Sequence, residues 1–211
     1  TENRMAVAVL DDGARRITLA DASDNVDDRI RDLLSTALAA CEIDAFDPME
    51  RAIVAAAKRH APDAVRRLSD MTLVHEYELT PQLPAVTHVW RRNDEVNLRV
   101  AAKGAPEALA AVCGLEPDAA ARVLQRTEEL ASDGLRVLAV ADSEFAGKEF
   151  PPSPHGLALR FRGLIGLRDP VRESVPAALD ECRGAGIRVI MITGDHAATA
   201  RSVARAVGLD D

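Results

Sequence analysis

Aromatic side chains are scarce. One Trp, one Tyr and four Phe among 211 residues leave few platforms for stacked bases, and no Lys/Arg-rich stripe interleaves with them. The net charge of −8 points the same way, so a nucleic-acid partner is excluded as a first expectation. Cysteine is equally sparse: Cys41, Cys113 and Cys182 are odd in number, far apart and without a CxxC pair. That suits free thiols in a reducing compartment rather than disulfides or zinc. No apolar run approaches the ~18 residues that span a bilayer, and no signal peptide is expected ahead of the first apolar segment. This stretch of chain is expected to be soluble. Two phosphate-binding signatures are missing as well. There is no GxxxxGKS/T, and "RGAGIR" (183–188) lacks the third glycine of the dinucleotide fingerprint. His60, His75, His88, His155 and His196 show no metal-ligand spacing, so no metal site is expected and each reads as a surface or strand histidine.

What is present is ordinary globular composition, 47% hydrophobic and 28% charged, enough for one large or two modest cores. "MAVAVL" (5–10), the Asp11-Asp12-Gly13 turn and "RRITLA" (15–20) predict a β-hairpin. Apolar residues at helical spacing from Val26 to Cys41 predict a helix. "DPMERAIVAAAKRH" (47–60) predicts a second, with Asp47 at the N-cap, Pro48 at the first helical position and Glu50 as capping-box partner. "MTLVHEYEL", "AVTHVWRR" and "EVNLRVAAK" form an expected antiparallel meander, the last two joined at Asn93-Asp94. Helices at "APEALAAVC" and "DAAARVLQRTEELAS" precede a strand at 135–141, a Pro-rich loop over 143–157 and a strand at 157–167. Beyond Arg168 the order becomes helix (about 173–183), strand (188–193) and helix (196–207), half of a doubly wound unit with a single strand. The expected class is α/β (α+β): an antiparallel sheet flanked by helices, then a fragment of a parallel domain.

Four motifs carry candidate chemistry. "RVIMITGDH" (188–196) puts Thr193-Gly194-Asp195 at the end of an apolar strand, where open α/β sheets hold ligands. Thr193 there could donate to a phosphoryl oxygen, or Asp195 could simply cap the next helix. Asp169-Pro170-Val171-Arg172 is either a functional hinge or a turn into a helix. "KGAPEAL" (103–109) places Lys103 at a strand end, either reaching for phosphate or as a solvated charge. In "DPMERAI" (47–53) Glu50 already has a capping role.

In this order the motifs resemble one family, the P-type cation-transporting ATPases of the calcium/magnesium/sodium-pump-like branch. "TENRM" resembles the residues that follow the aspartyl-phosphorylation motif, "DPMERAI" the D-P-x-E-x-A segment, and "KGAPEAL" the nucleotide-site lysine motif. "GLRVLAVA" is similar to the strand bearing the nucleotide-site arginine. "GLRDPVRESV" and "AGIRVIMITGDHAATARSVARAVGL" are similar to the hinge and T-G-D motifs. The resemblance implies a nucleotide-binding domain over 1–168 and part of a haloacid-dehalogenase-like Rossmannoid phosphorylation domain over 169–211. It implies ATP or ADP as ligand, with Mg2+ ligands mostly elsewhere. Glu50 would contact adenine, Lys103 and Gly104 would line the nucleotide pocket, and Arg136 would reach the phosphates. Asp169 and Arg172 would lie at the hinge, and Thr193, Gly194 and Asp195 beside an aspartyl phosphate whose acceptor precedes Thr1. Leu79 stands where the family often has an adenine-stacking Phe, with Tyr77 two residues earlier as a substitute. The implied parent is a multi-pass membrane pump, its transmembrane and actuator domains partners of this cytoplasmic part, and this chain does not bind the transported cation. The fragment alone is expected to be inactive. The rival is a soluble haloacid-dehalogenase-like phosphatase with an inserted cap.

Overall fold

The computed structural model describes residues 4–19, 26–92, 97–194 and 196–209. The expected hairpin forms as β1 (Ala6–Asp11) and β2 (Arg16–Thr18). Its turn is held by Asp12 Oδ1, which accepts from Ala14 N at 2.8 Å and Arg15 N at 2.7 Å, while Gly13 takes a φ of 92°. That left-handed conformation costs glycine little. Helix α1 (Asp28–Ala39) starts on Asp27, whose carboxylate accepts from Ile30 N, and α2 (Pro48–His60) starts on Asp47 as expected. A short helix not expected from sequence, α3 (Pro62–Ser69), follows directly.

The meander is β3 (Met71–Tyr77), β4 (Ala85–Arg92) and β5 (Leu98–Gly104); the Asn93-Asp94 connection lies outside the described residues. Then come α4 (Pro106–Val112), α5 (Pro117–Ser132), β6 (Arg136–Phe145), a single 3-10 turn at Pro154–Leu157 and β7 (Arg160–Arg168). Strand β6 runs into what the prolines marked as loop. The strands form one antiparallel sheet in the order β2-β1-β7-β6-β5-β4-β3, so β1 closes against β7 at the far end of the chain.

Each sheet face is covered, which is why central strands such as β5 are apolar on both sides. On one face, Leu10, Val140, Ile165 and Leu167 pack under Ile30, Leu34 and Ile53 of α1 and α2. On the other, Val89, Val100, Ala139 and Leu164 pack under Leu109 of α4 and Val123 and Leu130 of α5.

Past β7 the expectation needs correction. Helices α6 (Val175–Gly184) and α7 (Ala197–Ala206) form, but residues 188–193 make no strand. Among the described residues no strand pairs with them, and an unpaired strand leaves its backbone donors and acceptors to water. Ile190 and Ile192 are correspondingly exposed, at 69% and 93%. Helix α7 packs against α5, and Thr199 Oγ1 donates to Leu135 O at 2.8 Å. Its N-cap is His196, whose Nδ1 accepts from Ala198 N at 3.3 Å. That position displaces the reading of Asp195 as cap; Asp195 itself lies outside the described residues.

Candidate functional site

A helix leaves its last carbonyls without intrahelical partners. At the end of α1 these carbonyls are met by side chains from the sheet. Ala39 O accepts from Trp90 Nε1 at 2.7 Å and lies 3.3 Å from His88 Nδ1, while Ala40 O accepts from Lys103 Nζ. The pairings Val86–Lys103, His88–Ala101 and Trp90–Arg99 put all three side chains on the face under α1, because directly opposite residues share a face. His88 is fully buried. Burial, and then the Lys103 charge, push its pKa below the ordinary histidine value. Beside it, burial pushes the Cys41 thiol up to about 12, so this cysteine stays protonated and inert at neutral pH.

Lys103 Nζ also donates to Glu50 Oε1 at 2.7 Å, with both side chains about nine-tenths buried. Asp47 Oδ1 caps α2 by accepting from Met49 N at 2.8 Å and Glu50 N at 3.3 Å. Glu50 turns inward to accept from Lys103 and, at 3.2 Å, from Glu42 N. Its Oε2 is buried and has no hydrogen-bond partner. The ammonium, with three hydrogens, uses two in these contacts.

A cavity of about 620 Å³ opens on this pair, within the range of small-molecule sites. Glu50, Lys103 and Gly104 form its polar floor, Met49, Val86 and Leu138 line its walls, and Ile43, Phe46 and Leu79 stand at its rim. The three rim side chains are 71%, 82% and 59% exposed. Gly104 is fixed by close packing, since a Cβ there would lie 2.4 Å from Pro84 O and 2.5 Å from Ala85 Cβ. A second cavity, of about 540 Å³, lies by Arg67, Arg99, Arg160 and Arg162. There Asp142 accepts from Arg162 at 2.8 Å and from Arg160 at 3.4 Å, so part of the positive charge is already neutralised.

Thus Glu50, Leu79, Lys103 and Gly104 are brought together. Tyr77 is not. It pairs with Thr87, which places it on the opposite sheet face, where its hydroxyl donates to Pro151 O at 2.7 Å and its ring meets His75 edge-on. The expected substitution of Tyr77 for a stacking Phe is therefore corrected. The aromatic at the cavity is Phe46, which sequence reasoning passed over; its signal was a large apolar residue directly before a helix cap. The reading of Lys103 as a free point charge for phosphate also changes, because its ammonium is held by Glu50 and Ala40. Arg136 shares the Lys103 face through Leu138 and Val140, and Val140 pairs with Lys103. It lies four residues further along β6, roughly 13 Å away, and does not line the cavity. Asp169, half-buried with Oδ1 unpartnered, and exposed Arg172 lie between β7 and α6. Thr193 and Gly194 are exposed, and none of these four lines the cavity.

A seven-stranded antiparallel sheet with helices on both faces and a buried Lys–Glu floor defines the kind of domain this is. A family model described as "P-type ATPase, cytoplasmic domain N" matches residues 45–174, which include Phe46, Glu50, Leu79, Lys103 and Gly104 of the cavity. The chain belongs to the P-type ATPase family. It is 33% identical over 174 residues to the sodium/potassium exporting P-type ATPase cta3 of Schizosaccharomyces pombe, covering 77% of this chain and 17% of that protein. It is 36% identical over 177 residues to the probable cation-transporting ATPase F of Mycobacterium tuberculosis, covering 78% and 19%. A third relative, calcium-transporting ATPase 1 of Yarrowia lipolytica, is 37% identical over 122 residues, 52% of this chain and 13% of its own. The chain spans less than a fifth of the length of these curated relatives. No described helix is long and apolar enough to cross a membrane.

Proposed function

We infer that the chain is the nucleotide-binding part of a longer cation-transporting ATPase, and that ATP or ADP places its adenine in the Glu50–Lys103 cavity. The observation that carries this reading is Glu50 Oε2, a buried acceptor without a partner at the floor of a cavity with apolar rims. An orphaned buried acceptor is costly, and adenine offers a matching donor in its exocyclic amine. The third ammonium hydrogen of Lys103 suits a ring nitrogen, and Phe46, Leu79 and Ile43 cover the base faces. Arg136, further along the same sheet face, is the residue for the phosphates.

In the longer protein the bound ATP would phosphorylate an aspartate, and the acyl phosphate would drive cation movement across a membrane, with this part on the cytoplasmic face. Phosphoryl transfer of this kind needs positioning and charge stabilisation above all. Residues 1–168 would then be the nucleotide-binding domain and 169–211 part of a haloacid-dehalogenase-like phosphorylation domain. Asp169 and Arg172 would form its hinge, and Thr193, Gly194 and Asp195 would flank the phosphoryl group. Partners are the transmembrane and actuator domains of the same polypeptide. The ligands of Mg2+ would lie mostly outside this chain, so no step is assigned to it. The chain alone is read as inactive, because these groups orient and stabilise and none is the covalent acceptor. The soluble-phosphatase reading loses ground to relatives named for cation transport.

The test is an NMR titration of the chain with ATP. Saturable shifts at Glu50, Lys103, Gly104 and Leu79 are expected, with Tyr77 unmoved. No saturable shift at millimolar ATP, or shifts confined to 187–194, would overturn the reading.

A further inference from the structure

His88 is buried on the sheet face below α1, and its ring has one satisfied nitrogen and one that is not. Nδ1 faces Ala39 O at 3.3 Å. A carbonyl oxygen only accepts, so Nδ1 carries the proton and the neutral ring turns its lone pair outward from Nε2. Nε2 is buried without a hydrogen-bond partner. It points at two carboxylates, with Glu76 Oε1 3.7 Å away and Glu42 Oε1 4.0 Å away. A lone pair aimed at two anions is repulsive unless a cation lies between them.

We propose that His88 Nε2, Glu42 and Glu76 form a divalent transition-metal site, with zinc the best-matched ion. The three ligand atoms lie within 4.8 Å of one another. A tetrahedral zinc with bonds of about 2.1 Å separates its ligands by roughly 3.4 Å. The ligands must close by a few tenths of an ångström up to about 1.4 Å, and the half-exposed carboxylates supply that motion: Glu42 and Glu76 are 41% and 30% exposed, His88 not at all. The histidine is already oriented as metal-bound histidines are, its other ring nitrogen donating to a backbone carbonyl. One imidazole and two carboxylates leave a fourth position for water, and the nitrogen ligand favours zinc over magnesium or calcium. Glu76 and His88 face each other across β3 and β4, while Glu42 comes from the loop after α1. This dispersal is why the histidine spacing gave no sign of the site.

The test titrates zinc into the EDTA-treated 211-residue chain against a chromophoric chelator, while NMR follows the His88 ring nitrogens. One equivalent should bind, moving the Nε2 resonance of His88, and magnesium at the same concentration should not move it. Glu42→Gln and Glu76→Gln, partly exposed changes that leave the core intact, should each weaken zinc binding about tenfold or more. Failure to bind one equivalent of zinc, or affinity unchanged in both variants, would overturn the proposal. Neither readout requires nucleotide, so the site stands or falls apart from the adenine reading.

Discussion

Lys103 illustrates how a residue's position can be read from sequence while its partners cannot. Its place at the end of β5 follows from the glycine that ends "LRVAAKG" and the Pro-initiated helix after it, but its ammonium meets a helix-end carbonyl and Glu50 rather than open solvent. A buried ion pair adds little net stability while intact; breaking it strands a charge. Lys103→Ala should therefore lower stability by about 3–5 kcal/mol, read from urea unfolding. A loss under about 1 kcal/mol is what a solvent-exposed pair gives, and would show that Glu50 is not desolvated. Nucleotide binding by this variant has to be compared at a temperature where it stays folded. Phe46 and Tyr77 make the converse point. A sequence counts aromatics but does not say which sheet face they reach, and the end of β3 at Tyr77 sends Leu79 to the cavity and Tyr77 away from it.

At the scale of elements, the segment between α6 and α7 is the least supported. Val189, Ile190, Met191 and Ile192 are all more than a third exposed, whereas Val100, Ala101 and Ala102 are fully buried in paired β5. Hydrogen exchange should find the amides of 188–193 unprotected and those of 98–103 among the slowest. Equal protection in a monomer would contradict this. The elements that sequence reasoning located share a cause. Helix α2 declares itself by Asp47-Pro48, β4 by its Val- and Thr-containing run, and α5 by its helical period. What it missed carries weaker or incomplete local signals, α3 having Pro62 at its start without a side-chain cap. Helix α3 has eight residues, no side-chain cap and one buried residue, Ala64, so its stability comes from packing beside α2. The strand expected at 188–193 had the right composition, but a strand exists only where another chain segment accepts its hydrogen bonds. The Glu50–Lys103 floor lay half in view: both residues were singled out, and their contact, 53 positions apart, depends on how α2 sits over the sheet.

At the scale of the molecule, the sheet divides the work. The face under α4 and α5 is apolar packing, while the face under α1 and α2 gathers Lys103, Glu50 and His88 around the end of α1 and opens the cavity beside them. In the proposed adenine site, Glu50 Oε2 is the acceptor kept for a base amine. Adenine presents a donor at that edge and guanine a carbonyl oxygen. The decisive measurement is calorimetric titration of the chain, and of Glu50→Gln, with ATP and GTP. Native protein should bind ATP about tenfold or more tightly than GTP, the scale of one hydrogen bond to a charged group. In Glu50→Gln the amide oxygen can still accept from Lys103 and turn its NH2 to the base, so the preference should vanish or reverse. Equal affinities for the two nucleotides in the native chain, or an ATP preference unaltered by Glu50→Gln, would contradict the account.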